Sequence, residues 1–303
     1  MRLALLFVAA VAGLSGCEDS LDDDAGTGGQ GAGDVTTTAT TGDGTTTTTG
    51  AVGGGGTGGA ADGGGGGEGG SPPMECDPDA HPLPNVGLVE APGTGGCPAG
   101  MLRVDDFCVD QYEASLVSYP DGDPVSPYWN PDDTMVMAVS VAAAVPQGYI
   151  NQIQAEDACL AAGKRLCTDT EWLRACQGPS DTTYPYGDDL ELGVCNDHRD
   201  QHPAIEYFMT TDDWIWSELG HPCLNQLADG LDHTGDNAGC VTAEGAFDMM
   251  GNLHEWTADP NGTFRGGFYV DTMLNGPGCL YATTAHDVSH WDYSTGFRCC
   301  ADP

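Results

Sequence analysis

The chain has 303 residues and carries 46 acidic side chains against 8 Lys plus Arg, a formal net charge of −38. A surface of that sign repels phosphate backbones and anionic headgroups, so no nucleic-acid partner is expected and charge alone cannot hold the chain on a membrane. The balance is compatible with divalent cations, and with plain solubility in an exposed compartment.

The first residues read as a targeting segment. Arg2 supplies a short positive region, Leu3 to Leu14 an apolar run too short to span a bilayer, and Leu14-Ser15-Gly16-Cys17 a lipobox. This order predicts a signal peptide over 1–16, cleavage before Cys17 and acylation of the Cys17 thiol. Acylation of the new amino terminus would add a second lipid signal, which makes anchoring stable where one chain is marginal. The expected localisation is exported and lipid-anchored to a bacterial membrane, at the cell envelope or surface. An ordinary signal peptide with an incidental cysteine is the plainer alternative.

Residues 17–75 are dominated by Gly, Thr, Asp and Ala and hold almost no large apolar side chain. Burial there cannot offset the entropy of ordering. Runs such as Thr45–Thr49 and Gly63–Gly67 predict a disordered tether, with a glycosylated stalk as the alternative.

Residues 76–303 then form one domain of ordinary size. The chain has 13 cysteines; assigning Cys17 to lipid leaves 12, an even number that favours a disulfide framework in an exported domain. No CxxC pair is present, so a structural zinc site has little support. Cys97-Pro98-Ala99-Gly100 reads as a turn and Met101-Leu102-Arg103-Val104 as an extended run. The partial alternation of Phe107 to Ser115 predicts a strand, on which a water-facing position is one of two even alternatives for Asp110 and the weaker one for Glu113. Asn151 with Gln154 forms a capping box for a helix reaching Ala162, with Gly163 as its cap. Thr168 with Glu171 opens a second helix to about Cys176, before Gly178-Pro179 ends it.

Beyond Tyr184 the composition is that of a loop-rich domain that needs cross-links. His198 and His202 lie at i, i+4, which on a helix would face one metal, but Pro203 and the polar setting favour a surface loop. Asn261-Gly262-Thr263 reads as a turn. His286 and His290, on either side of Asp287, are candidates for a ligand cleft or for ordinary structural histidines. Lys164, Arg165, Arg174, Arg265 and Arg298 are most of the scarce basic residues. They are expected to pair with carboxylates such as Glu113, Glu171 or Glu255.

Four short motifs occur in order. They are Ala162-Gly163-Lys164-Arg165-Leu166 running into Glu171-Trp172, then Gly245 to Thr257 (GAFDMMGNLHEWT), then Phe264-Arg265-Gly266-Gly267, and finally Gly296-Phe297-Arg298-Cys299. In that order they resemble the formylglycine-generating enzyme (sulfatase-modifying factor) family, over roughly Met101 to the C-terminus. The resemblance implies an α+β, loop-rich, disulfide-stabilised fold related to C-type lectins.

It also implies two disulfides, Cys159–Cys299 and Cys176–Cys279, the last cysteine lying one position off the family spacing. A calcium site is implied as well, with the Asp248 side chain, the Gly251 and Leu253 carbonyls and the Glu255 carboxylate as ligands, a hard oxygen set suited to Ca²⁺. The competing reading there is a turn capped by Asp248, with Glu255 paired to an arginine. A second family calcium site would begin at Asn196 and Asp197, its later ligand falling around Asp236.

Eight domain cysteines remain. Cys300 follows Cys299 and Cys167 lies near Cys159 in sequence, which brings Cys167 and Cys300 together, although adjacent strand residues point to opposite faces and geometry could forbid the bond. Cys97 and Cys108 could close a short loop, Cys195 and Cys240 bracket an acidic insertion, and Cys76 and Cys223 pair only by elimination.

Formylglycine-generating enzymes place two redox cysteines, which bind copper, between the Arg-Gly-Gly motif and the structural cysteine. Gly267 to Gly278 contains none. The thiolate is both the nucleophile and the soft copper ligand, so copper is not expected and no residue carries over as catalytic. The expected function is an anchored binding or accessory domain for an unknown protein or small-molecule ligand. The alternative is a divergent oxidase, or a metal-dependent oxidoreductase like the ergothioneine-pathway sulfoxide synthases.

Overall fold

The structure, a computed structural model, describes residues 76–303 apart from Leu88 and Ala285. Residues 1–16, Cys17 and the tether 17–75 lie outside the described residues. Three β units and three α-helices carry the fold, joined by long turn-rich segments. Strands β1 (Met101–Val104) and β2 (Phe107–Asp110) form a hairpin, and β10 (Cys299–Ala301) and β5 (Arg165–Leu166) extend it in the order β1-β2-β10-β5, all antiparallel. A second hairpin pairs β3 (Ala114–Ser118) with β4 (Val136–Ser140). The third sheet runs β8 (Ala282–Thr283), β7 (Phe264–Arg265), β6 (His254–Trp256), β9 (Thr295–Phe297), with β6 and β9 parallel. The stretch from Phe107 to Ser115 is thus two strands, because Gln111 to Glu113 break the ladder between different sheets.

Both capping boxes form. The Asn151 side chain accepts from the Gln154 amide at the start of α1 (Gln152–Ala161), and Thr168 accepts from Glu171 at the start of α2 (Asp169–Gln177). Each satisfies N-terminal amides that a helix cannot bond internally. The third helix, α3 (Pro203–Phe208), is capped by His202, whose ring accepts from the Ala204 amide. Among the described residues no helix is long and apolar enough to cross a membrane.

Strand β10 divides the core. Cys299 packs with Leu116, Ile150, Cys159, Trp256 and Phe297 on one side. Cys300 packs with Val109, Cys167, Trp172 and Met249 on the other. Strand alternation therefore serves both cross-links: Cys299 reaches Cys159 on α1 and Cys300 reaches Cys167 just past β5. The other disulfides are Cys176–Cys279, Cys97–Cys108, Cys195–Cys240 and Cys76–Cys223. Together the six take up every cysteine of 76–303.

Candidate functional site

The motif residues meet one another. Arg298 binds both carboxylate oxygens of Glu255, from Nε and Nη2, each at 2.6 Å, and also donates to the Asp110 and Phe247 carbonyls. The Trp172 indole donates to the same Glu255 carboxylate at 2.6 Å. Arg265 makes a two-point contact with Asp169, and Arg165 with Glu171. Lys164 lies between Glu90 and Asp110, whose other oxygen accepts the Cys299 amide. Arg174 pairs with Asp105 and Glu244. The four motifs are thus the pieces of one interlocked frame, and the expected pairing of the basic residues holds except at Glu113.

Glu113 instead accepts from the Asn252 side chain and the Leu253 amide, while Asp248 accepts from the Gly235 amide. Burial first, then the like charges of Asp248 and Glu255, push the Glu113 carboxyl well above its ordinary value, and burial pushes Asp248 up to about 7. Asp110 and Glu113 are both fully buried, so neither faces water. The reason is that each acid caps backbone amides of a neighbouring segment, which water would otherwise have to reach.

Of the positions implied for calcium, Asp248, Gly251 and Leu253 lie on the turn that leads into β6, and Glu255 lies in that strand. Gly251 has φ of 77°, and a Cβ there would stand 2.0 Å from the Asn196 carbonyl oxygen, so only glycine allows this approach. The Glu255 carboxylate, however, faces the Arg298 guanidinium, and both its oxygens are committed to protein donors. Glu255 is thus paired to an arginine, as the turn reading of this segment expects.

The second family position is different. Asn196 and Asp197 line a cleft of about 400 Å³ with Asp229, Asp232 and Asn237. Asp197 is buried; its Oδ1 accepts the Gly193 amide, and its Oδ2 has no hydrogen-bond partner among the described residues. Asp236 does not line the cleft and pairs with His233. Sequence reasoning missed Asp229 and Asp232; the Asp229-Gly230 turn, with Asp229 at φ of 54°, was the available signal. Among the described residues no three His, Cys, Asp or Glu side chains converge closely enough to hold a metal ion by themselves, so a cation here would need amide and backbone oxygens as well.

The segment from Phe268 to Gly278 is an ordered turn. Phe268 and Asp271 exchange backbone hydrogen bonds, and the Asp271 carboxylate accepts the Met273 and Leu274 amides. It ends at Cys279, which is bonded to Cys176. No free thiol stands among the described residues.

Sequence reasoning also missed a polar chain beside this turn. The buried His254 ring contacts Ser294 Oγ at 3.2 Å and Tyr281 Oη at 3.4 Å, Ser294 donates to Asp292 at 2.7 Å, and Asp292 meets His290 at 3.2 Å. His290 stacks on His286 with ring centroids 4.0 Å apart. Burial lowers His254 to about 3. His198 is exposed and near Asp200, whereas His202 caps α3 and contacts Tyr293, so the two do not face one metal.

No curated protein sequence matches the chain significantly. Similar solved structures include CarF, at 14% identity over 74% of this chain and 96% of that one, with a TM-score of 0.39. PvdO from Pseudomonas aeruginosa is similar at 13% identity over 65% and 80%, with a TM-score of 0.35. The Major Tropism Determinant I1 variant is similar at 15% identity over 68% and 53%, with a TM-score of 0.41, so the chain spans about half of that protein's length. The sequence profile of the sulfatase-modifying factor enzyme 1-like domain matches residues 97–302, which include every motif residue of the interlocked frame. The chain belongs to the sulfatase-modifying factor enzyme 1-like family.

Proposed function

We propose that this chain is an exported, membrane-tethered binding or accessory protein that uses the family fold without cysteine-dependent oxidation. One observation carries the reading: the segment between Gly267 and Cys279 holds no cysteine, and Cys279 itself is joined to Cys176. A thiol-based oxidase needs a free thiolate as nucleophile and copper ligand. The charged motif residues Lys164, Arg165, Arg265, Arg298 and Glu255 agree with this reading, since each is ion-paired within the frame. The decisive experiment is oxidation of a sulfatase-type cysteine peptide, with and without copper, for which no turnover is expected.

The tether belongs to this reading through Cys17. Intact-mass analysis of the membrane fraction should find an acylated Cys17 terminus, and Cys17→Ser should leave the protein unprocessed or released. Acylation unchanged in that variant would refute the anchor.

A structural calcium ion belongs to it as well. Asp197 supports this, because a buried carboxylate oxygen without a donor is costly unless a cation meets it. Asp197 and Asp229, with the Asn196 amide oxygen and backbone oxygens of the cleft, would hold the ion.

A further inference from the structure

A cleft lies on the outer side of α1. About 590 Å³ is enclosed between the outer face of α1 (Ile153, Asp157, Ala161), the segment Pro131 to Val136 and Tyr119 at the end of β3. Its walls are built. Asn130 and Gln154 exchange reciprocal amide hydrogen bonds at 3.0 and 2.7 Å, Gln154 also reaches the Asp132 carbonyl, and the Tyr119 amide holds the Met135 carbonyl at 2.9 Å.

A surface helix normally turns polar residues outward. Here Ile153 is 51% exposed, and Met135 and Tyr119 across the cleft are 68% and 46% exposed. Single exposed apolar side chains need no explanation, but several facing one concavity mark an interaction surface. Asp132, Asp133 and Asp157 stand exposed in the same cleft, make no ion pair among the described residues, and have no basic residue beside them in its lining.

We propose that this cleft docks a basic, amphipathic segment of another protein, with apolar side chains against Ile153 and Met135 and Lys or Arg among the three carboxylates. This rests on the binding reading above and names the partner's class. Charge complementarity selects the occupant. A second copy of the chain is unsuited, because every basic residue of 76–303 except Arg103 is already ion-paired to the chain's own carboxylates. The chain's own tether is unsuited too, since residues 17–75 contain no Lys or Arg.

The test is fluorescence anisotropy with the full chain and a labelled peptide of roughly twelve residues alternating Lys with Leu. The double variant Asp133→Asn/Asp157→Asn should raise Kd about tenfold. Removing the same two charges elsewhere, with Asp212→Asn/Asp213→Asn, should change it by less than about twofold, because distant exposed charges are screened. Ile153→Ser should weaken the Lys-Leu peptide and leave a Lys-Gly peptide of equal charge unaffected. Equal weakening by both double variants would mean bulk attraction to an acidic protein and would overturn the proposal, as would no binding at all. The peptide has no cysteine, so either failure removes this partner and leaves the non-oxidase reading to its own assay.

Discussion

Arg298 and Glu255 form a two-point ion pair with neither side chain accessible to solvent, 0% and 1% exposed. The pair joins the last of the four motifs to the second, and Trp172 on α2, from the first, adds the third donor. Removing one partner of a buried pair strands the other charge, at a cost of about 3–5 kcal/mol. Glu255→Gln should therefore lower the unfolding free energy by roughly that amount in chemical denaturation. A change within the error of the wild type would mean that the pair does not hold the frame.

Chelation gives a second prediction. A cation bound only by the native state stabilises it by mass action, so EGTA should lower the Tm of the domain. Asp197→Asn and Asp229→Asn should abolish the response, while Asp236→Asn should keep it. A response that survives Asp197→Asn would move the ion out of this cleft.

The buried His254 sets a third. The folded ring stays neutral down to about pH 3, whereas an unfolded histidine takes up a proton below about 6.5. In that window the unfolded state binds more protons, so this group makes stability fall as pH falls, by about 1.4 kcal/mol per unit at the steepest. His254→Gln keeps a polar side chain and should flatten the loss between pH 6 and 4 in Tm measurements. An unchanged slope would show that His254 does not titrate in this way.

Much of the frame was legible because its signals are local. The two capping boxes need only residues three apart, and Asn151–Gln154 and Thr168–Glu171 form as their spacing predicts. The Cys167–Cys300 pair was ambiguous in sequence because alternation could have forbidden it. The fold uses that alternation, placing Cys159 and Cys167 on opposite sides of β10. Burial of Asp110 was not legible, since its partners Lys164 and the Cys299 amide are distant in sequence. The same holds for the acidic cleft: Asp197 and Asp229 line it together across a long sequence separation, with the Asn196 side chain donating to the Gly230 carbonyl at 2.8 Å. The chain Tyr281–His254–Ser294–Asp292 likewise joins the ends of separate strands and leaves no periodic signature.

The absence of cysteine chemistry is the central claim, and oxidation of a sulfatase-type cysteine peptide tests it most directly. The purified chain, incubated aerobically with the peptide and with copper supplied or withheld, should leave the peptide thiol unconverted on mass spectrometry. Non-reducing peptide mapping of the same sample should recover Cys279 linked to Cys176. Copper-dependent conversion of the peptide cysteine to an aldehyde, or a free Cys279, would contradict the account.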